Sequence, residues 1–510
     1  MNISPSDFEV MRHSFTAIPE QMGASLMRSA YSPNIKERKD ESCAIFSPKG
    51  HLLAQAEHIP VHLGAMPVAV KVATKECKPS EGDQVILNNP FKGGTHLPDV
   101  TLIKPVYYNN EHVGYTVNRA HHADVGGDVP GSMPGDSKKL EEEGIIISPT
   151  LAVKDKKLNR DIKNLFKEMR SPKERIGDLN AQIGANNKGA SEFIKTIDKF
   201  GLNRYKNFIE DYFNYSKSKS HKMIQKLPNG VFNSKDYLEW RDKEVKIKVQ
   251  IEISDDELTF DFQGTSDQIY GNINAPFQVT LSAIYYILKC LLPKEVPLNY
   301  GSYDPIGVKA PEGSVVNAKP PVAVSAGNVE TSQRIVELIL RALEPALPDK
   351  IPAESTGSMN NLAIGNDRFT YYETIGGGAG ATSKQDGEDG VHVHMTNTKN
   401  TPIEALENYY PLKVDKYKLR NNSGGKGKYN GGEGLIREIK VKEDSKLSIQ
   451  SERRKNTPKG AKKGENGKKG KNILIKGNQE IKLNSKVSRK IKKSESIRIC
   501  TPGGGGWGKN

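Results

Sequence analysis

A chain of 510 residues with 35% hydrophobic content holds enough apolar material for roughly two to four domains with substantial cores. No run approaches the roughly 18 apolar residues that a membrane helix needs. The start, MNISPSDFEVMRHSF, shows no basic stretch leading into an apolar one, so no secretory signal and a cytoplasmic location are expected.

In chain order, residues 7–31 carry apolar side chains at helical spacing interrupted by Pro19, which predicts an opening helix with a break. Residues 40–47 and 52–56 read as paired strands around the turn Pro48-Lys49-Gly50. Residues 57–64 form a loop with His58 and His62, and 65–76 an amphipathic helix. Residues 84–87 form a strand, and the glycine-bearing loop 88–95 delivers His96. Residues 138–225 are helix-rich, with Leu179, Ile183, Phe193, Ile197 and Phe200 as expected core. Strands follow over 230–262, then a buried helix over 277–292. Another helix spans 331–343, with Thr331 or Asn328 as its expected cap. From about 405 onward the chain reads as β-rich, with residues 455–471 expected to be a mobile Lys/Gly loop. The sequence therefore predicts a mixed α/β (α+β) protein in four segments. These are an α/β region with a metal site (1–137), a helix-rich segment (138–229), an α/β core region (230–404) and a basic β-rich region (405–510).

The net charge of +14 is uneven. Residues 411–510 hold 28 Lys+Arg against 9 Asp+Glu, which leaves −5 on the remainder. Those lysines alternate with apolar residues, as solvent-facing side chains that guard sheet edges do. Nucleic-acid binding is not expected from them.

The chemistry concentrates in Thr95-His96-Leu97-Pro98-Asp99 and His121-His122-Ala123-Asp124. The β-prone runs 100–108 and 113–120 between them, separated by Asn109-Asn110-Glu111-His112, predict a hairpin with Tyr108 opposite Val113. That register sets Asp99 opposite His122, or opposite His121 if the loop is one residue shorter. Nitrogen and oxygen donors from His96, Asp99 and His121, with Asp40 at the start of an early strand, suit zinc, manganese or iron. His122 and Asp124 are read as groups behind these ligands or as an acid/base pair for proton transfer. Pro60 argues against a shared helical face for His58 and His62, so ordinary loop packing is expected there. Asp386, Asp389, His392 and His394 are read as a flexible loop lining a cleft. Cys43, Cys77, Cys290 and Cys500 show no CxxC spacing and are expected to be reduced. The Gly-rich stretches at 373–382 and 501–508 lack the GK[ST] of a phosphate loop. Close backbone approach to another chain or to a substrate is expected instead, with the terminus docking at an interface.

The stretches RSAYSPNIKERKDESCAIFSPKGHLLAQAEHIPVHLGAMP, GDQVILNNPFKGGTHLPDVTLIKPV, NRAHHADVGGDVPGS, RIGDLNAQIGAN, DFQGTSDQIYGNINAP, SAGNVETSQRI and the terminal TPGGGGWG resemble the hydantoinase B/5-oxoprolinase family from about residue 5 to the C-terminus. The resemblance implies Asp40, His96, Asp99 and His121 as ligands of zinc or manganese. It further implies a hydantoinase A-type partner that binds ATP and phosphorylates a lactam or imide carbonyl, with a dimer of heterodimers as the expected assembly. This chain would then supply the metal and its water, with His122 or Asp124 moving the proton. An acetone carboxylase-like alpha subunit is the alternative it implies. A non-catalytic basic scaffold or nucleic-acid binder is the rival from another class, and it has no use for converging histidines and aspartates.

Overall fold

The computed structural model describes residues 3–56 and 58–509. Met1 and Asn2 at the chain start and Glu57 of the expected loop lie outside the described residues. Buried Phe8, Met11, Phe15, Ile18, Met22 and Leu26 recur at helical spacing and wind α1 (Pro5–Ser29), capped by the Ser4 hydroxyl. The break expected at Pro19 does not occur. Pro19 is itself buried, and the packing of this face outweighs the one backbone hydrogen bond its ring removes. A single helical turn, α2 (Pro33–Lys36), leads into the strands.

Strands β1 (Glu41–Phe46) and β2 (Leu52–Ala56) pair antiparallel, and α3 (Ala65–Cys77) and β3 (Gln84–Leu87) follow. The hairpin consists of β4 (Asp99–Tyr108) and β5 (Glu111–His121). Its turn has two residues, Asn109 and Asn110, at φ 48° and 63°, which asparagine tolerates in primed turns. Tyr108 therefore faces Glu111 and not Val113. An irregularity between Val106 and Tyr107 restores one residue, and the ladder closes on Asp99 opposite His121. Strands β6 (Thr150–Lys154) and β7 (Lys157–Leu158), from the segment read as helix-rich, extend the sheet to seven strands in the order β2-β1-β5-β4-β3-β6-β7.

Helices α4 (Arg160–Lys167), α5 (Pro172–Phe200) and α6 (Leu202–Ile224) come next. α5 lies against β4 and β5, and its buried amides key into the hairpin. Asn118 donates to Gln182 O and Asn186 Oδ1 at 2.8 Å, and Gln182 donates to Val100 O at 2.9 Å. Leu179, Phe193 and Ile197 are in the core as expected, whereas Ile183 and Phe200 are half-buried.

Strands β8 (Gly230–Trp240), β9 (Lys243–Ser254) and β10 (Glu257–Asp261) make a second sheet with β11 (Ile306–Lys309), which joins β10 in parallel. It shares a core with α7 (Phe277–Leu291) and α8 (Ser332–Leu343). Neither expected cap closes α8. A π-helical turn, Gly327–Thr331, runs into it, and Thr331 Oγ1 donates to Ile273 O at 2.6 Å.

Beyond it, β12 (Asn361–Gly365), β13 (Thr370–Glu373), the short α9 (Ile403–Tyr409), β14 (Leu412–Arg420), β15 (Gly434–Val441), β16 (Ser445–Gln450), β17 (Lys471–Lys476), β18 (Gln479–Leu483), β19 (Lys486–Ile491) and β20 (Ser496–Cys500) build two sheets on one core. Their orders are β13-β12-β16-β19 and β14-β15-β20-β17-β18. Lys416 and Arg498 flank Glu438 at 3.2 and 2.6 Å, so part of the basic charge is spent on cross-strand pairs.

The terminal glycines pack against backbone of this same chain. Gly504 N–H donates to Gly432 O, Gly505 N–H to Glu354 O and Gly506 N–H to Glu465 O, each at 2.8–2.9 Å. Ala461 N–H donates to Gly506 O at 2.9 Å, so the segment expected to be a mobile loop is hydrogen-bonded to the terminus. A Cβ on Gly504 would sit 1.8 Å from Ala379 O, which leaves no room for a side chain. No helix among the described residues is long and apolar enough to cross a membrane.

Candidate metal centre

The loop that carries His96 is held from three sides. Asn88 Nδ2 donates to Leu97 O and Ile145 O at 2.9 Å. Buried Arg119 on β5 donates to Thr101 Oγ1 and Gly93 O at 2.8 Å, and burial pulls its pKa to about 10. The amide of Gln278 on α7 donates to Pro90 O and Gly94 O. His96 and Asp99 are thus fixed before any ligand arrives, and register sets His121 opposite Asp99.

Asp99 lies among three imidazoles. His96 Nδ1 is 2.9 Å from its Oδ2, His62 Nε2 is 3.4 Å from the same oxygen, and His121 Nδ1 is 3.5 Å from Oδ1. Thr95 Oγ1 donates to Oδ2 as well. Burial raises the Asp99 pKa, but the imidazoles of His96 and His62 and the contact with His121 outweigh it and hold the carboxyl well below its ordinary range. Asp40 Oδ2 is 3.9 Å from His121 Nδ1 and 4.0 Å from Arg38 Nη1. The His121 ring stacks on Tyr372 at 4.6 Å and 7°, and burial lowers its pKa.

This arrangement fits an ion. Ligand atoms of His96, Asp99 and His121 lie within 4.8 Å of one another. The Nε2 atoms of His96 and His121 are buried without a hydrogen-bond partner, an arrangement that is costly unless something binds them. They line a cavity of about 20 Å³ with Asp40, Asp99 and His62, room for about one water-sized body. Two carboxylates with two imidazoles suit a divalent cation of borderline hardness.

The structure does not bring His122 or Asp124 to this cavity. Successive strand residues face opposite ways, and His122 points to α5, where its Nε2 meets Gln182 Oε1 at 2.9 Å and its ring abuts Phe166. Asp124 accepts from Gly126 N, Gly131 N and Arg170 Nη1 at 2.8–3.1 Å and so ties a loop together. His58 lies 3.4 Å from Glu41, away from the cavity lining.

His62 is the reverse case. Ordinary packing was expected, but a 3-10 turn, Pro60–His62, puts it in the cavity wall, where its Nδ1 meets Ser42 Oγ at 2.9 Å. Pro60 rules out a longer helix without preventing a single tight turn. Asn328, read as a cap, instead places its Nδ2 3.0 Å from His96 Nδ1. Tyr372 and Arg38 had no local signal, because only the C-terminal strands bring Tyr372 over His121. Asp386 and Asp389 accept from Asn430 N and Glu433 N, and His394 lies 3.0 Å from Glu337 Oε1, so these three brace the loop. Cys43 and Cys500 are buried, Cys77 is half-buried, Cys290 is exposed, and all four are free thiols.

Residues 4–510 match the family described as Hydantoinase B/oxoprolinase. The chain is 44% identical over 506 residues to the protein MJ0963 of Methanocaldococcus jannaschii, covering 98% of this chain and 90% of that one. It is 40% identical to the 5-oxoprolinase of Dictyostelium discoideum over 99% of its own length and 40% of the relative's. It therefore spans about two fifths of that longer protein. The B-type subunit of a putative D-/L-hydantoinase from a Pseudomonas species is 31% identical, with 99% and 90% covered. Among solved structures, the ATP-dependent caprolactamase from Pseudomonas jessenii superposes with a TM-score of 0.93 at 25% identity, covering 100% of this chain and 92% of that one. A nucleotide-free acetone carboxylase shares the fold, with a TM-score of 0.91 at 16% identity over 99% and 76% of the two chains. The chain belongs to the hydantoinase B/oxoprolinase family.

Proposed function

We propose that this chain is the metal-bearing half of an ATP-dependent cyclic amide hydrolase, acting with an ATP-binding partner of hydantoinase A type. The observation that carries the reading is the small cavity, lined by buried side chains, in which Asp40, His96, Asp99 and His121 converge with two imidazole nitrogens unpartnered. The glycine-rich segments support the division of labour, since both are packed against backbone of this chain. The relatives named as a 5-oxoprolinase and a hydantoinase, and the caprolactamase structure, point to a lactam or imide ring as the substrate class.

Asp40, His96, Asp99 and His121 would hold zinc or manganese, which when bound supplies Lewis acidity and lowers the pKa of water. The chain's own residues prepare the place. His62 and Thr95 fix Asp99 Oδ2, Asn328 and Asp99 hold the His96 ring at Nδ1, and Tyr372 fixes the plane of His121. Ile59, Val61, Val329 and Met359 in the same wall keep bulk water out. Activation by phosphorylation answers the resonance stability of the amide, which water alone overcomes slowly.

The test is to purify the chain together with an A-type polypeptide encoded beside it and supply 5-oxoproline, hydantoin or caprolactam with ATP. Ring opening coupled to ADP and phosphate release is expected. Consumption of a ketone and bicarbonate with no lactam opened would overturn the hydrolase reading in favour of a carboxylase.

A further inference from the structure

The metal cavity holds about 20 Å³, far less than any cyclic amide, so a substrate reaches it only where a wall opens. One wall is a single residue thick. Thr398 lines the cavity on one side and, on the other, a surface cleft of about 620 Å³ formed by residues drawn from 388–392 and 397–403 and by Tyr417. Clefts around His51 and around Asp261 share no lining residue with the cavity.

The wall is held by hydrogen bonds to Arg38, Glu373 and Thr374, among them Lys399 N–H to Arg38 O at 3.1 Å and Asn400 Nδ2 to Glu373 Oε2 and Thr374 O at 2.9 and 2.8 Å. Thr398 Oγ1 meets Thr374 Oγ1 at 2.5 Å, and Arg38 Nη2 donates to both hydroxyls at 3.4 and 3.0 Å. Arg38 Nε also donates to Lys399 O at 3.3 Å. The cleft mixes apolar Val391, Ile403 and Tyr417 with the exposed amide of Asn397, while the Asn400 amide is engaged by Glu373, Thr374 O and Tyr417. That mixture suits a small ring bearing an amide. Both ring nitrogens of His392, which also lines the cleft, are buried without a partner. Burial, with the Arg38 charge beyond it, brings its pKa to about 4, so the ring is neutral and offers one donor and one acceptor.

We propose that this cleft seats the ring of the cyclic amide once the partner has activated it, with His392 as a hydrogen-bonding contact, and that Thr398, latched by Arg38 and Thr374, is the door between the cleft and the metal cavity. The proposal rests on the functional reading above and names the route by which that site is reached.

The experiment uses the full chain in a Cys77→Ser, Cys290→Ser background, loaded with zinc. Asn397→Cys in the cleft and Asn214→Cys in the cleft near His51 are each treated with a bulky maleimide. EDTA extraction of zinc is then timed before and after labelling. Labelling at 397 is expected to slow extraction at least tenfold and, with the partner present, to cut turnover by a similar factor. Labelling at 214 is expected to change neither. Extraction at 397 that labelling leaves unchanged, or slowing of equal size at 214, would overturn the proposal whatever happens to turnover. A parent protein that binds no zinc would instead defeat the functional reading, so the two failures are distinct.

Discussion

His62 and His122 show how a single side chain's direction decides its role. His62 belongs to the cavity through a 3.4 Å contact with Asp99, whereas His122, beside His121 in sequence, faces α5. Removing an outer partner of a ligand commonly costs one to two orders of magnitude in metal affinity. His62→Ala is therefore expected to weaken zinc binding by about tenfold in a chelator-competition titration. His122→Gln should keep full zinc occupancy and lower thermal stability, because His122 fills a buried position against Gln182 and Phe166.

Buried Glu330 gives a pH prediction at the same scale. It accepts from Met359 N and Asn361 Nδ2 at 3.2 and 2.9 Å, and burial raises its pKa from 4.5 to about 8. Below about pH 4.5 both folded and unfolded forms are protonated. As pH rises towards 8 the unfolded chain ionises first, so the stability this group contributes is progressively lost. Glu330→Gln keeps the acceptor and cannot ionise. Urea denaturation at pH 8 should show it more stable than the parent by on the order of a few kcal/mol, with the difference vanishing near pH 4.5. An equal difference at both pH values would contradict this.

At the scale of elements, the hairpin and its delivering loop were legible because β-branched runs, asparagine turns and the His/Asp pairs sit close together in the sequence. Of the two expected pairings at the ladder's end, Asp99 opposite His121 is the one formed, while the pairing of Tyr108 with Val113 failed because a two-residue turn and an irregularity at Val106/Tyr107 are set by backbone geometry. The break expected at Pro19 failed for a different reason, since burial of one helix face exceeded a local penalty. The loop ahead of His96 depends on Gly93, at φ 97°, where a Cβ would lie 2.5 Å from Ala69 Cα. Gly93→Ala is expected to cost about 2–3 kcal/mol in urea denaturation, through strain and the crowded approach to α3. It should lower zinc affinity too, because Arg119 anchors Gly93 O.

At the scale of the whole molecule, the cavity is closed by residues more than 200 positions from the hairpin. Asn328, Met359, Tyr372, Thr374 and Thr398 have no local signature, so the convergence of His96, Asp99 and His121 was legible in the sequence and the enclosure was not. The close backbone approach of the glycine-rich terminus was expected, but its partners at 378–381, 424–432 and 460–465 were not legible because they are remote in sequence. Deleting residues 502–510 would leave those segments without their backbone partners. Such a truncation is expected to yield insoluble or protease-sensitive protein, with cleavage concentrated in the C-terminal region on limited proteolysis.

The most direct test of the metal-centre account is the zinc and manganese content of the purified chain and of His121→Ala, measured by mass spectrometry alongside circular dichroism. About one metal ion per chain in the parent, falling below about 0.2 in the folded variant, is the result predicted. Less than about 0.2 metal per chain in the parent after incubation with either ion, or a content unchanged by His121→Ala, would contradict it.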